Sequence, residues 1–140
     1  MLLRKAEKDY KVFKSLSAEW DEEYLDLACY HLQQAIEKLL KKYIELSGEN
    51  YDYTHNITEL YLRCTKLGLP ENEGLDLMGG TITGWEASSR YGDSFVATSA
   101  QIKKASSVYE SLYVIVKGKS DEISAEQKNQ ESKTESVKWE

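Results

Sequence analysis

Leu3, Ala6, Tyr10, Phe13 and Leu16 recur at three- and four-residue steps, and the positions between them are mostly charged. That spacing is the helical period, so it predicts a first helix over residues 2–16 whose outer side is Lys-rich and solvated. Ser17 followed by Ala18-Glu19 offers a cap for a new turn, and the second helix should run from about Asp21 to Leu46 and end near Gly48. At about 100° per residue, Leu25, Ala28, Leu32, Ala35, Ile36, Leu39 and Tyr43 fall on one side of it, and Cys29 and Leu40 widen the stripe. A stripe this broad exceeds what one surface contact needs, which predicts a central helix touching more than one neighbour.

The same periodicity predicts a third helix from Thr54 or Asn56, where Asn56 and Glu59 approximate a capping box, with Ile57, Leu60, Tyr61, Cys64 and Leu67 inward and Gly68-Leu69-Pro70 as its stop. A fourth segment spans about 72–90, weakened by Gly79, Gly80 and Gly84 and therefore expected to be kinked or to begin late. A fifth helix, about Ser94 to Lys117, carries Val96, Ile102, Ala105, Val108, Tyr109, Leu112, Ile115 and Val116. No run alternates apolar and polar residues as a strand would. The expectation is an all-α, up-and-down bundle of about five helices over residues 1–117. From Gly118 onward Ser, Glu, Lys, Gln and Asn dominate, which predicts a disordered or loosely helical tail over 118–140, with Val137 and Trp139 as its anchors.

Composition narrows the function classes. With 41% hydrophobic and 30% charged residues the chain is globular, and its 140 residues leave no room for a second catalytic domain. No window reaches the ~18 apolar residues of a membrane span, and the charged start has no signal-peptide core, so the expected compartment is the cytoplasm. A net charge of −6 argues against gripping nucleic acid by bulk electrostatics, although a local basic patch is compatible with it. Cys29 and Cys64 suit neither a disulfide scaffold nor a zinc motif and read as buried thiols. No metal or cofactor is expected.

Candidate chemistry concentrates on the second helix. His31, Gln34 and Lys38 lie within about 60° of one another, a polar strip at the edge of the apolar face, with Glu37 further round the exposed side. An imidazole, an amide and an ammonium in one strip can bind a phosphate, a nucleobase or a partner's carboxylate. They can equally form a seam between packed helices. His55, within Thr54-His55-Asn56-Ile57, stands at a helix start where free N–H groups would favour an anion, or else it packs at the loop while Thr54 and Asn56 cap. Arg90 could clamp a phosphate or carboxylate, or bridge helices through Asp93 or Glu37. Gly79-Gly80-Thr81-Ile82-Thr83-Gly84 has a phosphate loop's composition without its Gly-Lys-Ser/Thr ending.

Taken together, the run from Ala28 through His31, Gln34 and Lys38, then Thr54-His55-Asn56-Ile57, then Ser89-Arg90-Tyr91, resembles the HEPN domain family (higher eukaryotes and prokaryotes nucleotide-binding) over about residues 2–117. The resemblance implies a helical bundle that forms a homodimer. It also implies a nucleotide or RNA ligand and a minimal nucleotidyltransferase as partner, in toxin–antitoxin-like pairs. Many members are instead metal-independent ribonucleases, marked by an Arg followed four to six residues later by His. Here His31 and His55 lack such an Arg, Arg90 is followed by no His, and the family's Arg-Tyr-Pro turn reads Arg90-Tyr91-Gly92. The reading is therefore a nucleotide-binding or protein-interaction module with His31, Gln34, Lys38, His55 and Arg90 as ligand-binding residues and no assigned catalytic group. A ribonuclease with a non-standard site and a purely structural adaptor are the alternatives.

Overall fold

The computed structural model describes the backbone of residues 1–91 and 97–138, with side chains for 1–86 and 97–131. The elements in order are α1 (Leu2–Ser17), a short 3-10 turn (Glu22–Tyr24), α2 (Leu25–Leu46), α3 (Ile57–Lys66), α4 (Glu73–Tyr91) and α5 (Ser99–Lys138). No strand occurs among the described residues. The all-α bundle expected from periodicity is the fold observed.

The helix ends follow local chemistry. At the end of α2, Gly48 has φ +84°, and the N–H groups of Gly48 and Glu49 reach back to the carbonyls of Glu45 and Ile44 at 3.0 and 3.2 Å. Gly68, with φ +102°, repeats this at the end of α3, where Gly68 and Leu69 donate to Thr65 and Cys64. Only glycine takes this left-handed position without a Cβ penalty. Asp21 caps the 3-10 turn by accepting from the Glu23 N–H, so the α-helical geometry begins at Leu25 rather than at Asp21.

α2 lies at the centre and touches α1, α3, α4 and α5. Leu32, Ile36, Leu39, Leu40 and Ile44 are among the largest fully buried side chains, packed with Leu60, Leu75, Ile82, Ile102 and Leu112 from the surrounding helices. This is the multi-neighbour role that the wide apolar stripe predicted. Tyr10 on α1 stacks on Tyr109 of α5 with ring centroids 3.8 Å apart and hydrogen-bonds Ser106 at 2.7 Å, which ties the first helix to the last.

Two boundaries differ from expectation. Helix α5 starts at Ser99 under a reciprocal capping box, in which the Gln101 N–H donates to Thr98 Oγ1 and the Thr98 N–H to Gln101 Oε1. The expected caps Asp93 and Ser94, with Gly92 and Val96, lie outside the described residues. At its other end α5 passes Lys117 and continues to Lys138, so the polar segment is helix over this range. Lys119 fixes the crossing, with Nζ 3.0 Å from Ser47 Oγ and 4.2 Å from the centroid of Tyr43, and Lys117 pairs with Asp121 one turn on. The glycines of α4 neither delay nor interrupt it.

Gly74 marks a close approach of α4 to α5: a Cβ there would stand 2.4 Å from Cγ2 of the buried Val108. Val108 is β-branched and stiff at χ1 in a helix, so turning aside costs energy. Gly74→Ala should destabilise the fold by about 1–2 kcal/mol in urea unfolding, the overpacking cost exceeding the roughly 1 kcal/mol gained in helix propensity.

Candidate functional site

The polar residues of α2 divide into two connected groups. On the side facing α1, Asp9 is the hub. His31 Nδ1 lies 3.0 Å from Asp9 Oδ1, and Lys38 Nζ donates to Asp9 Oδ2. The three side chains are 14 to 23% exposed, so the pairs are shielded yet open along one edge. A carboxylate only accepts, so the proton on the His31 ring sits on Nδ1 and leaves Nε2 unassigned by this contact. Of the expected strip, His31 and Lys38 thus converge on one anion supplied by the chain itself, while Gln34 belongs to the other group.

The second group is more deeply buried. Gln34 Nε2 donates to Gln33 Oε1 at 2.7 Å, and Gln33 Nε2 donates to Glu37 Oε1 at 3.0 Å and to the His55 carbonyl at 3.4 Å. Glu37 then accepts from His55 Nδ1 at 2.9 Å and from Lys41 Nζ at 3.1 Å. Glu37 and Lys41 side chains are only 4 and 9% exposed, whereas that of His55 is 54% exposed. This corrects the placing of Glu37 on the exposed side of α2. Tyr51, in the segment between α2 and α3, brings its ring centroid to 5.5 Å from Lys41 Nζ, and His55 in the same segment lies against Glu37. A helix wheel has no knowledge of that covering segment.

The start of α3 is closed as an anion site at three of its N–H groups. Asn56 N–H donates to Thr54 Oγ1, Ile57 N–H to Thr83 Oγ1 on α4, and Glu59 N–H to Asn56 Oδ1, all at 2.9–3.1 Å. Thr54 and Asn56 cap, as one of the two expectations had it, and His55 is held by Glu37. Arg90 belongs to α4, but its side chain and that of Asp93 lie outside the described residues.

Of the expected site residues the structure joins His31 with Lys38 through Asp9, and Gln34 with His55 through Gln33 and Glu37. It adds Asp9, Gln33, Glu37 and Lys41. Asp9 carried a readable signal: it falls about 40–60° from Ala6 and Phe13 on the α1 wheel, inside the buried stripe where a carboxylate needs a cation. The Gln33-Glu37-Lys41 ladder at four-residue steps was the other signal.

With neutral imidazoles the two carboxylates balance Lys38 and Lys41, and protonation of either ring makes the face cationic. Lys38 retains donors beyond the one Asp9 takes, and an ammonium has three. Among the described residues, three hollows of about 430–440 Å³ lie against α5, α1 or both and are lined by other residues than these two groups. Among the described residues no cluster of His, Cys, Asp or Glu could hold a metal ion, and no helix is long and apolar enough to cross a membrane.

Neither a curated protein nor a solved structure matches the chain. A family model does: residues 1–119, which take in the five-helix core, both polar groups and the segment bearing Arg90, match the HEPN domain, and the chain belongs to that family.

Proposed function

We propose that this HEPN domain is a nucleotide-binding or protein-interaction module that works in the cytoplasm, as a homodimer, beside a minimal nucleotidyltransferase in a toxin–antitoxin-like pair. One observation carries the ligand half of this reading. Four nitrogen-bearing side chains, His31, Lys38, Lys41 and His55, are held along α2 by only two carboxylates, Asp9 and Glu37. With neutral imidazoles the charges match, as a packed seam requires, but such a seam does not need imidazoles with an open edge beside a lysine with donors to spare. A phosphate at this edge would compete with Asp9 for Lys38 and His31, and Arg90 would supply a further bidentate contact.

Isothermal titration of the full chain with ATP, GTP and a short single-stranded RNA tests the reading. Lys38→Ala and Arg90→Ala should each weaken phosphate binding by about tenfold or more, the scale of one charged hydrogen bond. Asp9→Asn should strengthen it, since the competing charge is gone while the shape is kept. Circular dichroism separates these effects from loss of fold. No binding by either the wild type or Asp9→Asn at millimolar ligand would leave only the interaction role.

A second reading rests on His55. Its Nδ1 is fixed by a buried carboxylate while the ring stays exposed, which is how a general base is oriented. Metal-free ribonuclease activity would use its Nε2 to take the proton from an RNA 2′-hydroxyl. RNA cleavage in the presence of a chelator, lost in His55→Ala, distinguishes this reading from simple binding.

A further inference from the structure

The first helix and the turn that follows it carry opposite charges that make no ion pair with each other or with the rest of the described residues. Arg4, Lys5, Lys8, Lys11 and Lys14 are exposed on α1, and the next Lys or Arg in the chain is Lys38. Between them come Glu19, Asp21, Glu22, Glu23 and Asp26, of which only Asp26 is partly buried. None of these ten side chains makes an ion pair among the described residues, whereas Asp9, Glu37, Glu45, Asp52 and Asp121 all do.

The same stretch of chain also exposes large apolar side chains. Val12 is 39% exposed, Trp20 38%, Tyr24 46% and Leu27 43%. A hollow of about 440 Å³ lined by Lys8, Lys11, Val12, Ser15 and Leu16 opens on α1. Trp20 also stands at φ +53°, a left-handed position that a bulky side chain takes at a cost glycine would not incur.

We propose that the outer face of α1 and the acidic turn after it form the contact between two copies of this chain, with the two α1 helices antiparallel. Antiparallel pairing lays the basic half of each α1 against the acidic turn of the other copy, with Val12, Leu16 and Trp20 between the two charge contacts. Both contacts then occur twice about one two-fold axis, and the surface closes on itself. A second copy is the occupant because the chain supplies both halves of the charge match on neighbouring positions. A polyanion seated on α1 would meet five carboxylates without ion-pair partners over residues 19–26, which follow it. The proposal names the surface of the homodimer in the reading above and depends on that part of it alone.

Sedimentation equilibrium of the full chain should show a dimer at tens of micromolar in low salt that weakens as salt rises past the point where the Debye length falls below about 10 Å. Reversing α1 (Lys5→Glu with Lys8→Glu) should give a monomer, and so should reversing the turn (Glu19→Lys with Glu22→Lys). An equimolar mixture of the two should form a dimer, because each now offers what the other lacks. Trp20→Gly relieves the left-handed backbone, so it should keep or raise the thermal midpoint while weakening the dimer by about tenfold. A wild type that is monomeric at about 100 µM in low salt, ten times the concentration at which a ~10 µM complex forms, overturns the proposal. So does a dimer indifferent to both reversals, or a mixture that stays monomeric. Nucleotide titration of the same reversed variants reads the α2 face separately, since they leave His31, Lys38 and His55 intact.

Discussion

Glu37→Ala should lower the unfolding free energy by about 3–5 kcal/mol, the scale found when one partner of a buried ion pair is removed. The variant strands Lys41, whose side chain is 9% exposed and whose ammonium has Glu37 Oε2 at 3.1 Å. It also removes the acceptor for Gln33 Nε2 and His55 Nδ1, so one truncation leaves three donor groups short of a partner. Against a typical total of about 5–15 kcal/mol, the variant would be marginal at best. The measurement is a urea midpoint by far-ultraviolet circular dichroism. A companion variant separates charge from packing: Glu37→Leu with Lys41→Met replaces the pair by apolar groups of similar length and should recover most of the loss. A loss under about 1 kcal/mol for Glu37→Ala would mean that Lys41 reaches water unaided, as a surface lysine does.

That sensitivity bears on function. The Glu37 cluster holds the buried Lys41, His55 and the segment around it, while the Asp9 cluster holds His31 and Lys38 through a less deeply buried carboxylate. Damage to the first should be read in the fold before it is read in binding. Damage to the second should appear in binding first, and for that reason Lys38 and Asp9, rather than Glu37, carry the ligand test.

The parts of the fold legible in the sequence were those set by local chemistry. Gly48, Asn56 and Gly68 act on their own neighbours within one turn, so the ends of α2 and α3 could be read directly. The width of the apolar stripe on α2 likewise reports its number of neighbours without reference to which they are. The end of α5 was not legible, because Gly118 and the polar residues after it suggest a stop. The contacts that carry the helix past it come from Ser47 and Tyr43, more than seventy residues earlier. The candidate site divides in the same way. Periodicity put His31, Gln34 and Lys38 in one strip, but the anion for His31 and Lys38 comes from α1, and Gln34 reaches Glu37, covered by the segment after α2, only through Gln33. A residue's burial depends on what is laid over it, and for Glu37 that cover includes Tyr51 and His55.

Raising the pH above about 9 should unfold the protein progressively, with cooperative loss of the helical signal before pH 12. Burial pushes the Cys29 thiol from an ordinary 9 up to about 12, with the nearby Asp26 adding to the rise. Burial does the same for Cys64, to about 12, outweighing the opposing pull of Arg63 and Lys119. In the unfolded chain both thiols lose their protons near pH 9, while in the folded protein they keep them. The folded state then binds more protons, so stability falls as pH rises, starting at the unfolded value and continuing until the folded thiols titrate near 12. Each thiol contributes a slope of at most about 1.4 kcal/mol per pH unit. The phenols of Tyr10, Tyr43, Tyr61, Tyr109 and Tyr113 are likewise raised by burial above their ordinary 10 and add the same sign from there upward. Urea midpoints between pH 8 and 11 read the effect. In Cys29→Ala with Cys64→Ala the decline should start a full unit later, where the phenols take over, whatever the variant's absolute stability. Midpoints flat from pH 9 to pH 11 in the wild type would show that the thiols ionise in place, and that the centre of the bundle admits water.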